Sequence, residues 1–453
     1  MKTEIYTGLR WFEDVAKGET VTKHLLRLRR MKTADPEFIR DDQFKKLTKL
    51  IAHAYEHSAF YKKRFDEQGV MPGDIKSFND FAQLRPLTRE DVQDHTLELI
   101  AKNFKREELF ESHSSGSTGQ PITFFQDKLA QSAGRAAVLV GWELAGRRMG
   151  DKVVTLWGNR ETIENRWSKP GSRLKAFLYR DKRFPVDRFV DENYVKDILD
   201  VLVRQRGGYI FGYSHAIAAV AGYVKERNIA LQKRFDGVMS TAEKLYPQNR
   251  ILAEETLGPV YDCYGSREIL GIAYQCRERK GYHIIEPNLI FETDDFLDDK
   301  KEVVITDLWN YAWPLIRYKI SDLIAGDFGR CSCGCTWKTF DTIVGRATDA
   351  LKLPDGRLMH PLYWFIDDIA KHWPTFKQVQ FARVAEDRVI FRVRLFEGQN
   401  YDFMDEMKEA MTRHFAKLGV KFDMEVVEKF EIGPSGKHRS VVDETKEDKR
   451  PLT

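Results

Sequence analysis

Residues 114–121 read Ser114-Ser115-Gly116-Ser117-Thr118-Gly119-Gln120-Pro121 and run directly into the apolar stretch Ile122-Thr123-Phe124-Phe125. Glycines and hydroxyl residues in this density make a loop rich in N–H and O–H donors, which can wrap the oxygens of a triphosphate. The common phosphate loop carries Lys and Ser/Thr directly after its second glycine. Here Gln120 and Pro121 follow Gly119. An exposed Ser/Gly linker has much the same composition, so the sequence downstream has to decide between the two.

The chain has 453 residues, enough for two or three domains with cores of their own. With 42% apolar and 31% charged residues it is an ordinary globular composition, neither disordered nor fibrous. Lys and Arg number 73 against 69 Asp and Glu, and no basic block stands apart from acidic neighbours. That balance argues against nucleic acid as a partner. The first residues lack the apolar core and small-residue cleavage site of a signal peptide. The most apolar helical stretch, Ala136–Ala145, is broken by Gly141 and Glu143 and is too short to span a bilayer. Three of the five cysteines fall in Cys331-Ser332-Cys333-Gly334-Cys335. In a chain of this size, metal or thiol chemistry in a reducing cytoplasm fits that spacing better than a disulfide framework.

Apolar spacing over 41–65 predicts helix, and Thr88 ahead of Arg89-Glu90-Asp91 predicts a helix cap. Helices are expected over 129–146, 193–204 and 214–226, alternating with strands at 152–157, 209–212 and 235–239. Such alternation between about 125 and 265 predicts a parallel α/β sheet. After 280, short alternating runs such as Glu302-Val303-Val304-Ile305-Thr306 predict antiparallel β structure. Strands at 376–383 and 387–395, a helix over 401–418 and a strand at 422–431 form a further α+β unit. Val344-Gly345-Arg346-Ala347-Thr348-Asp349 is the best linker. The expected fold is therefore α/β: a large multilayered N-terminal domain, 1–345, and a small mobile α+β C-terminal domain, 346–453.

Five further segments accompany the opening loop. They are Ser240-Thr241-Ala242-Glu243, Tyr264-Gly265-Ser266-Arg267-Glu268, Arg317-Tyr318-Lys319-Ile320-Ser321-Asp322, Gly345-Arg346 and Ser435-Gly436-Lys437. Their order and spacing resemble the adenylate-forming superfamily of acyl-CoA ligases, amino-acid-activating domains and luciferases. The nearest likeness is the phenylacetate–CoA ligase-like branch, on His57-Ser58-Ala59-Phe60-Tyr61 and Phe78-Asn79-Asp80-Phe81-Ala82-Gln83-Leu84. It covers about 40–442 and leans toward the group linked to capsule and polysaccharide biosynthesis.

The resemblance implies an ATP-dependent ligase that turns a small-molecule carboxylate into an acyl-adenylate, releases pyrophosphate, and transfers the acyl group to coenzyme A. An amine, hydroxyl or carrier-protein acceptor is the alternative, and a non-catalytic nucleotide-binding protein is the reading from another class. Ser114, Ser115, Gly116, Ser117, Thr118 and Gly119 would grip the β- and γ-phosphates. Ser240, Ala242, Glu243, Gly265 and Ser266 would line the nucleotide, and Tyr264 would stack on adenine. Glu268 matches the Mg²⁺-binding glutamate, a hard ligand suited to a hard ion. Asp322 would take the ribose hydroxyls, although relatives commonly read Thr-Gly-Asp where this chain has Ile320-Ser321-Asp322. Arg346 would sit beside ribose and phosphates, while Arg317 is as consistent with a structural ion pair. Lys437 would bring its ammonium to the α-phosphate from the small domain; with Glu268 and Thr118 it completes the expected catalytic set. At the hinge, Thr348 stands where many relatives have Asp, with Asp349 next. That departure puts coenzyme A in question as the acceptor.

Cys276, His283, Cys331 and Cys333 match a Cys…His…Cys-x-Cys pattern of this branch and suit a structural Zn²⁺, with Cys335 as an alternative ligand. Cys263 reads as core. Trp157, Phe211, Tyr213 and His215 are candidates for the carboxylate pocket, or simply packing. A cytoplasmic enzyme is the resulting expectation; relatives are often dimers, and the sequence leaves a homodimer open for this chain.

Overall fold

The computed structural model describes residues 2–113, 122–158, 170–186, 192–205, 207–297, 300–347, 351–352, 354, 358–359, 376–395, 402–430 and 441–445. The 114–121 loop, Thr348, Asp349 and Lys437 lie outside the described residues.

Helices Lys2–Lys17, Val21–Met31, Pro36–His57 and Ala59–Gln68 open the chain. The single helical period expected over 41–65 is divided at Ser58, whose extended backbone ends one helix while its hydroxyl accepts from Tyr61 N to start the next. A side-chain oxygen satisfying an orphan N–H makes this break cheap. Thr88 and Asp91 cap each other reciprocally, as the Thr-x-x-Asp spacing predicts.

Strands β1 (Phe110–His113) and β2 (Thr123–Gln126) form an antiparallel hairpin. The central sheet then builds from β3 (Val153–Leu156), β4 (Asp181–Phe184), β5 (Tyr209–Tyr213), β6 (Gly237–Thr241), β7 (Val260–Tyr264), β8 (Ala273–Gln275) and β9 (Tyr282–Ile284). A second sheet holds β10 (Leu289–Leu297), β11 (Lys300–Asp307) and β12 (Tyr318–Ala325). Next, β13 (Thr339–Phe340) returns to the central sheet and β14 (Thr342–Arg346) joins the second. The central order is β13-β9-β8-β7-β6-β5-β3-β4. From β4 to β7 neighbours are parallel; beyond β7 they are antiparallel. Parallel strands covered on both faces need unbroken apolar runs; β3 and β7 are buried throughout.

Helix Lys128–Leu144 covers one face. Its buried side is small (Ala133, Ala136, Ala137, Gly141), so its backbone lies close to the sheet. At Gly141 a Cβ would come within 2.4 Å of the Tyr274 ring. Helices Glu192–Arg204 and Ser214–Glu226 enclose the opposite core with Val154, Leu156, Ile210 and Val238.

After the short antiparallel pair β15 (Leu351–Lys352) and β16 (Leu358–Met359), the last hundred residues hold β17 (Phe376–Ala385), β18 (Arg388–Leu395), β19 (Lys421–Val426) and β20 (Val441–Asp443), in the order β19-β18-β17-β20. Helix Phe403–Ala416 inserts Met407, Met411 and Phe415 against Phe381 and Phe391 in a separate core. The overall picture matches the expected α/β class. Helices Lys2–Lys17 and Val21–Met31 and strand β4 were not among the expected elements.

Candidate active site

In a parallel sheet, ligands collect at the carboxyl ends of the strands. Here β6 ends in Ser240-Thr241, followed by Ala242 and Glu243, and β7 ends at Tyr264. Ala242 has φ 67°, so the chain turns sharply off the strand. Glu243 is held by His215, which donates its backbone N–H at 3.2 Å and brings Nδ1 to 2.8 Å. Lys244 Nζ donates to Val344 O at 2.5 Å, tying this segment to β14. Ser240 is wholly buried, and its hydroxyl has no partner among the described residues.

Asp322 and Arg346 are register partners on β12 and β14 beside an irregularity at Leu323. Arg346 Nε lies 3.8 Å from Asp322 Oδ1. Tyr264, buried at the end of β7, donates its hydroxyl to Asp322 Oδ2 at 2.7 Å. Three sequence segments separated by 24 to 58 positions thus meet at one carboxylate. Burial pushes the Asp322 carboxyl above its usual range, while Arg346 and the Tyr264 hydroxyl pull it back. Burial and the Asp322 charge together raise the Tyr264 phenol well above its ordinary value. Ser321, preceding Asp322, has φ 64°. This is a conformation that glycine adopts freely, and it is the position at which this chain departs from Thr-Gly-Asp.

Glu268 is buried, and its charge acts on Tyr264, Tyr318 and Asp322. Its backbone carbonyl accepts from Gln126 Nε2 at 3.0 Å. Arg267 donates to His113 O at 2.7 Å. His113 and Thr123 are paired across the β1–β2 hairpin. So both strands that flank residues 114–121 are fastened to the Arg267-Glu268 step. Sequence reasoning missed Gln126 and Arg267 as positioning residues: a lone Gln carries no pattern, and the place of Arg267 inside its motif does not reveal that it bonds to the His113 carbonyl.

Arg317 resolves as structural. It pairs with Glu292 at 3.2 Å and donates to the carbonyls of Ala82 and Leu84. Cys263 is buried core, and burial holds its thiol protonated.

Cys276, His283, Cys331 and Cys333 gather their ligand atoms within 4.8 Å of one another. Cys276 Sγ and Cys331 Sγ are 3.6 Å apart, and Cys333 Sγ is 3.4 Å from His283 Nε2. Zinc–ligand bonds in a tetrahedral site imply about 3.7 Å between sulfurs and about 3.5 Å from sulfur to nitrogen. The donor set and its spacing fit such an ion. Cys335 is buried outside this cluster, so it replaces none of the four.

A cavity of about 270 Å³ lies on the same face of the sheet as helix Lys128–Leu144, with Trp142, Trp157 and Phe211 in its wall. The rings of Trp157 and Phe211 stack at 5.6 Å. Trp157 also meets Tyr213 at 4.5 Å, and Tyr213 meets His215 at 5.8 Å. The four aromatic candidates therefore form one row leading from the cavity to Glu243.

Phenylacetate-coenzyme A ligase of Thermus thermophilus is 27% identical over 335 residues, covering 71% of this chain and 73% of the relative. The chain is similar to the phenylacetate–CoA ligases along most of its length. Protein CapK of Staphylococcus aureus is 24% identical over 280 residues, 59% of each chain. Among solved structures, 2-hydroxyisobutyryl-CoA ligase bound to an acyl-AMP superposes with a TM-score of 0.70, covering 92% of this chain and 91% of that one at 19% identity. No family model matches. No described helix is long and apolar enough to cross a membrane.

Proposed function

We propose that this enzyme activates a small carboxylic acid with ATP and passes the acyl group to coenzyme A. A carboxylate oxygen attacks the α-phosphorus and the bond to pyrophosphate breaks. The thiol sulfur then attacks the acyl carbon, and AMP leaves. The observation that carries this reading is the meeting of Tyr264, Asp322 and Arg346 next to Glu268 at the carboxyl ends of β6 and β7. A fixed carboxylate there can accept from both ribose hydroxyls, and Arg346 offers charge to phosphate. Ser240, Ala242, Glu243, Gly265 and Ser266 would border the nucleotide. Ser114, Ser115, Gly116, Ser117, Thr118 and Gly119 would hold the pyrophosphate half.

Glu268 fits a Mg²⁺ ligand: a buried carboxylate beside the anchored ends of the 114–121 segment. The ion, when bound, would neutralise phosphate charge. Lys437 would supply the mobile positive charge, with 1–345 and 346–453 as the two domains and Thr348-Asp349 as the hinge between them. Transfer to an amine, a hydroxyl or a carrier thiol is the second reading. It rests on Thr348 standing where many relatives carry Asp. The resemblance to the group linked to capsule and polysaccharide biosynthesis makes polysaccharide tailoring the context in which that reading would apply.

The test is pyrophosphate release with ATP, Mg²⁺ and a panel of aryl, fatty and sugar acids, with coenzyme A or hydroxylamine as acceptor. Release stimulated by coenzyme A supports the leading reading. Release trapped only by hydroxylamine moves the acceptor elsewhere. No release with any acid would leave at most a nucleotide-binding protein.

We assign Cys276, His283, Cys331 and Cys333 to a structural Zn²⁺. The ion would clamp the β8–β9 turn to the loop before β13. Thr336 and Trp337 in turn fasten that loop to the carbonyls of Ala34 and Met31. About one zinc per chain by elemental analysis is expected, falling to near zero in Cys331→Ser/Cys333→Ser. A zinc-free native protein would remove the site.

A further inference from the structure

The cavity beside Trp157 has aromatic walls, yet cations line it too. Arg10, Arg147, Arg148, Lys175 and Arg183 all border it, with Asp181 as the lining acid. Most of these cations are already satisfied. Arg10 is held by Glu13, Asp14 and Glu19, and Lys175 by Glu13. Arg183 Nε donates to Asp181 Oδ2 at 2.7 Å, and the Thr155 hydroxyl donates to Asp181 Oδ1 at 2.6 Å. Asp151 spends one oxygen on Arg148 N. Arg147 is different. Its guanidinium lies 4.0 Å over the Trp142 ring, and its buried Nε has no hydrogen-bond partner among the described residues.

The Asp181 and Asp151 charges act on Arg147, but a buried Nε–H without a hydrogen bond is costly, and a carboxylate is the group that matches a guanidinium's donors. Trp142 holds the face of the guanidinium, and Nε on its edge has no hydrogen-bond partner among the described residues. The volume, about 270 Å³, is near the small end of ligand pockets. Stacked Trp157 and Phe211, with Trp142 edge-on to Phe211 at 4.9 Å, suit a flat ring.

We propose that this cavity receives the tail of the activated acid, and that the acid is a planar, ring-bearing molecule whose second anionic group is paired by Arg147. The inference rests on the ligase reading above. The activated carboxyl would lie toward Glu243, along the Tyr213–His215 row, and the second anion at the opposite end. Arg147 is then a specificity-determining residue, remote from the atoms that react.

The experiment compares benzoate, phenylacetate and 3-phenylpropanoate with their para-carboxy counterparts, by pyrophosphate release, in wild type, Arg147→Met and Arg147→Lys. Thermal melting checks that each variant is folded. At one spacer length or more, the para-carboxy acid is expected to exceed its partner in kcat/KM by roughly tenfold to a hundredfold. Arg147→Met is expected to abolish that preference, and Arg147→Lys to restore part of it. The proposal is overturned if the unsubstituted acid is favoured at every spacer. It is equally overturned if the preference survives in folded Arg147→Met, or if all six acids are inert while fatty or sugar acids turn over. If no acid of any class releases pyrophosphate, the ligase reading itself falls.

Discussion

Ser321 occupies left-handed backbone one residue before the carboxylate on which the candidate site converges. For an L-residue that conformation costs about 1–2 kcal/mol, of which glycine would recover part at some cost in chain entropy. Ser321→Gly is therefore expected to raise stability by up to about 1 kcal/mol, read from the urea midpoint at constant slope. A lowered midpoint would show that the serine side chain compensates for the strain. His24 makes a second prediction. It is buried edge-on against Trp309 at 4.5 Å, and its Nδ1 has no partner among the described residues. Burial first, then Arg27, Lys23 and Lys46, lower its pKa to about 4, with Asp14 opposing. The folded value lies below the unfolded one of about 6.5, so between them the unfolded chain binds more protons. Stability is intact above pH 6.5 and is lost toward pH 4, with a slope of up to about 1.4 kcal/mol per unit from this group. His24→Gln should flatten urea midpoints measured from pH 7.5 to 5. An unchanged slope would mean His24 is not the titrating group.

Helix Lys128–Leu144 shows how element and partner are matched. Its Ala/Gly face was visible as a helical period, but its tight seat on β8 was not, because that depends on where Tyr274 points. Gly141→Ala should cost about 1–3 kcal/mol through overpacking. In a Tyr274→Ala background the same change should cost close to nothing, and thermal melts of the four proteins give the coupling directly. Additive losses would place the cost in the helix itself and not in the contact. The β1–β2 hairpin makes the complementary point. The apolar run after Pro121 was legible, whereas its pairing with 110–113 and its fastening to Arg267 and Glu268 are long-range and leave no local trace.

Across the molecule, the candidate site draws on the central sheet and the second sheet, and the proposed function adds Lys437 from the C-terminal part of the chain. Lys437→Ala is expected to slow adenylation by about 10²–10³-fold, the usual cost of one charge-stabilising group. ATP affinity measured by calorimetry should change little, since Tyr264, Asp322 and Arg346 remain. Unaltered pyrophosphate release would remove the lysine from the catalytic set.

Motif order along the chain was enough to read the likeness to the ligases, and helix–strand alternation the parallel α/β class; the structure brings Glu268, Asp322 and Arg346 of the proposed site together. Cys276, His283, Cys331 and Cys333, singled out by their spacing, cluster within 4.8 Å, which agrees with the proposed metal site. Arg317 is the counter-example. It sits in a matching motif, yet Glu292 and two carbonyls claim it. Which partner an arginine takes is decided by burial and geometry between distant segments, not by its neighbours in sequence. Arg147 was invisible for that reason. Among 73 basic residues, only packing could single out one that lines a cavity with its buried Nε left without a hydrogen bond among the described residues.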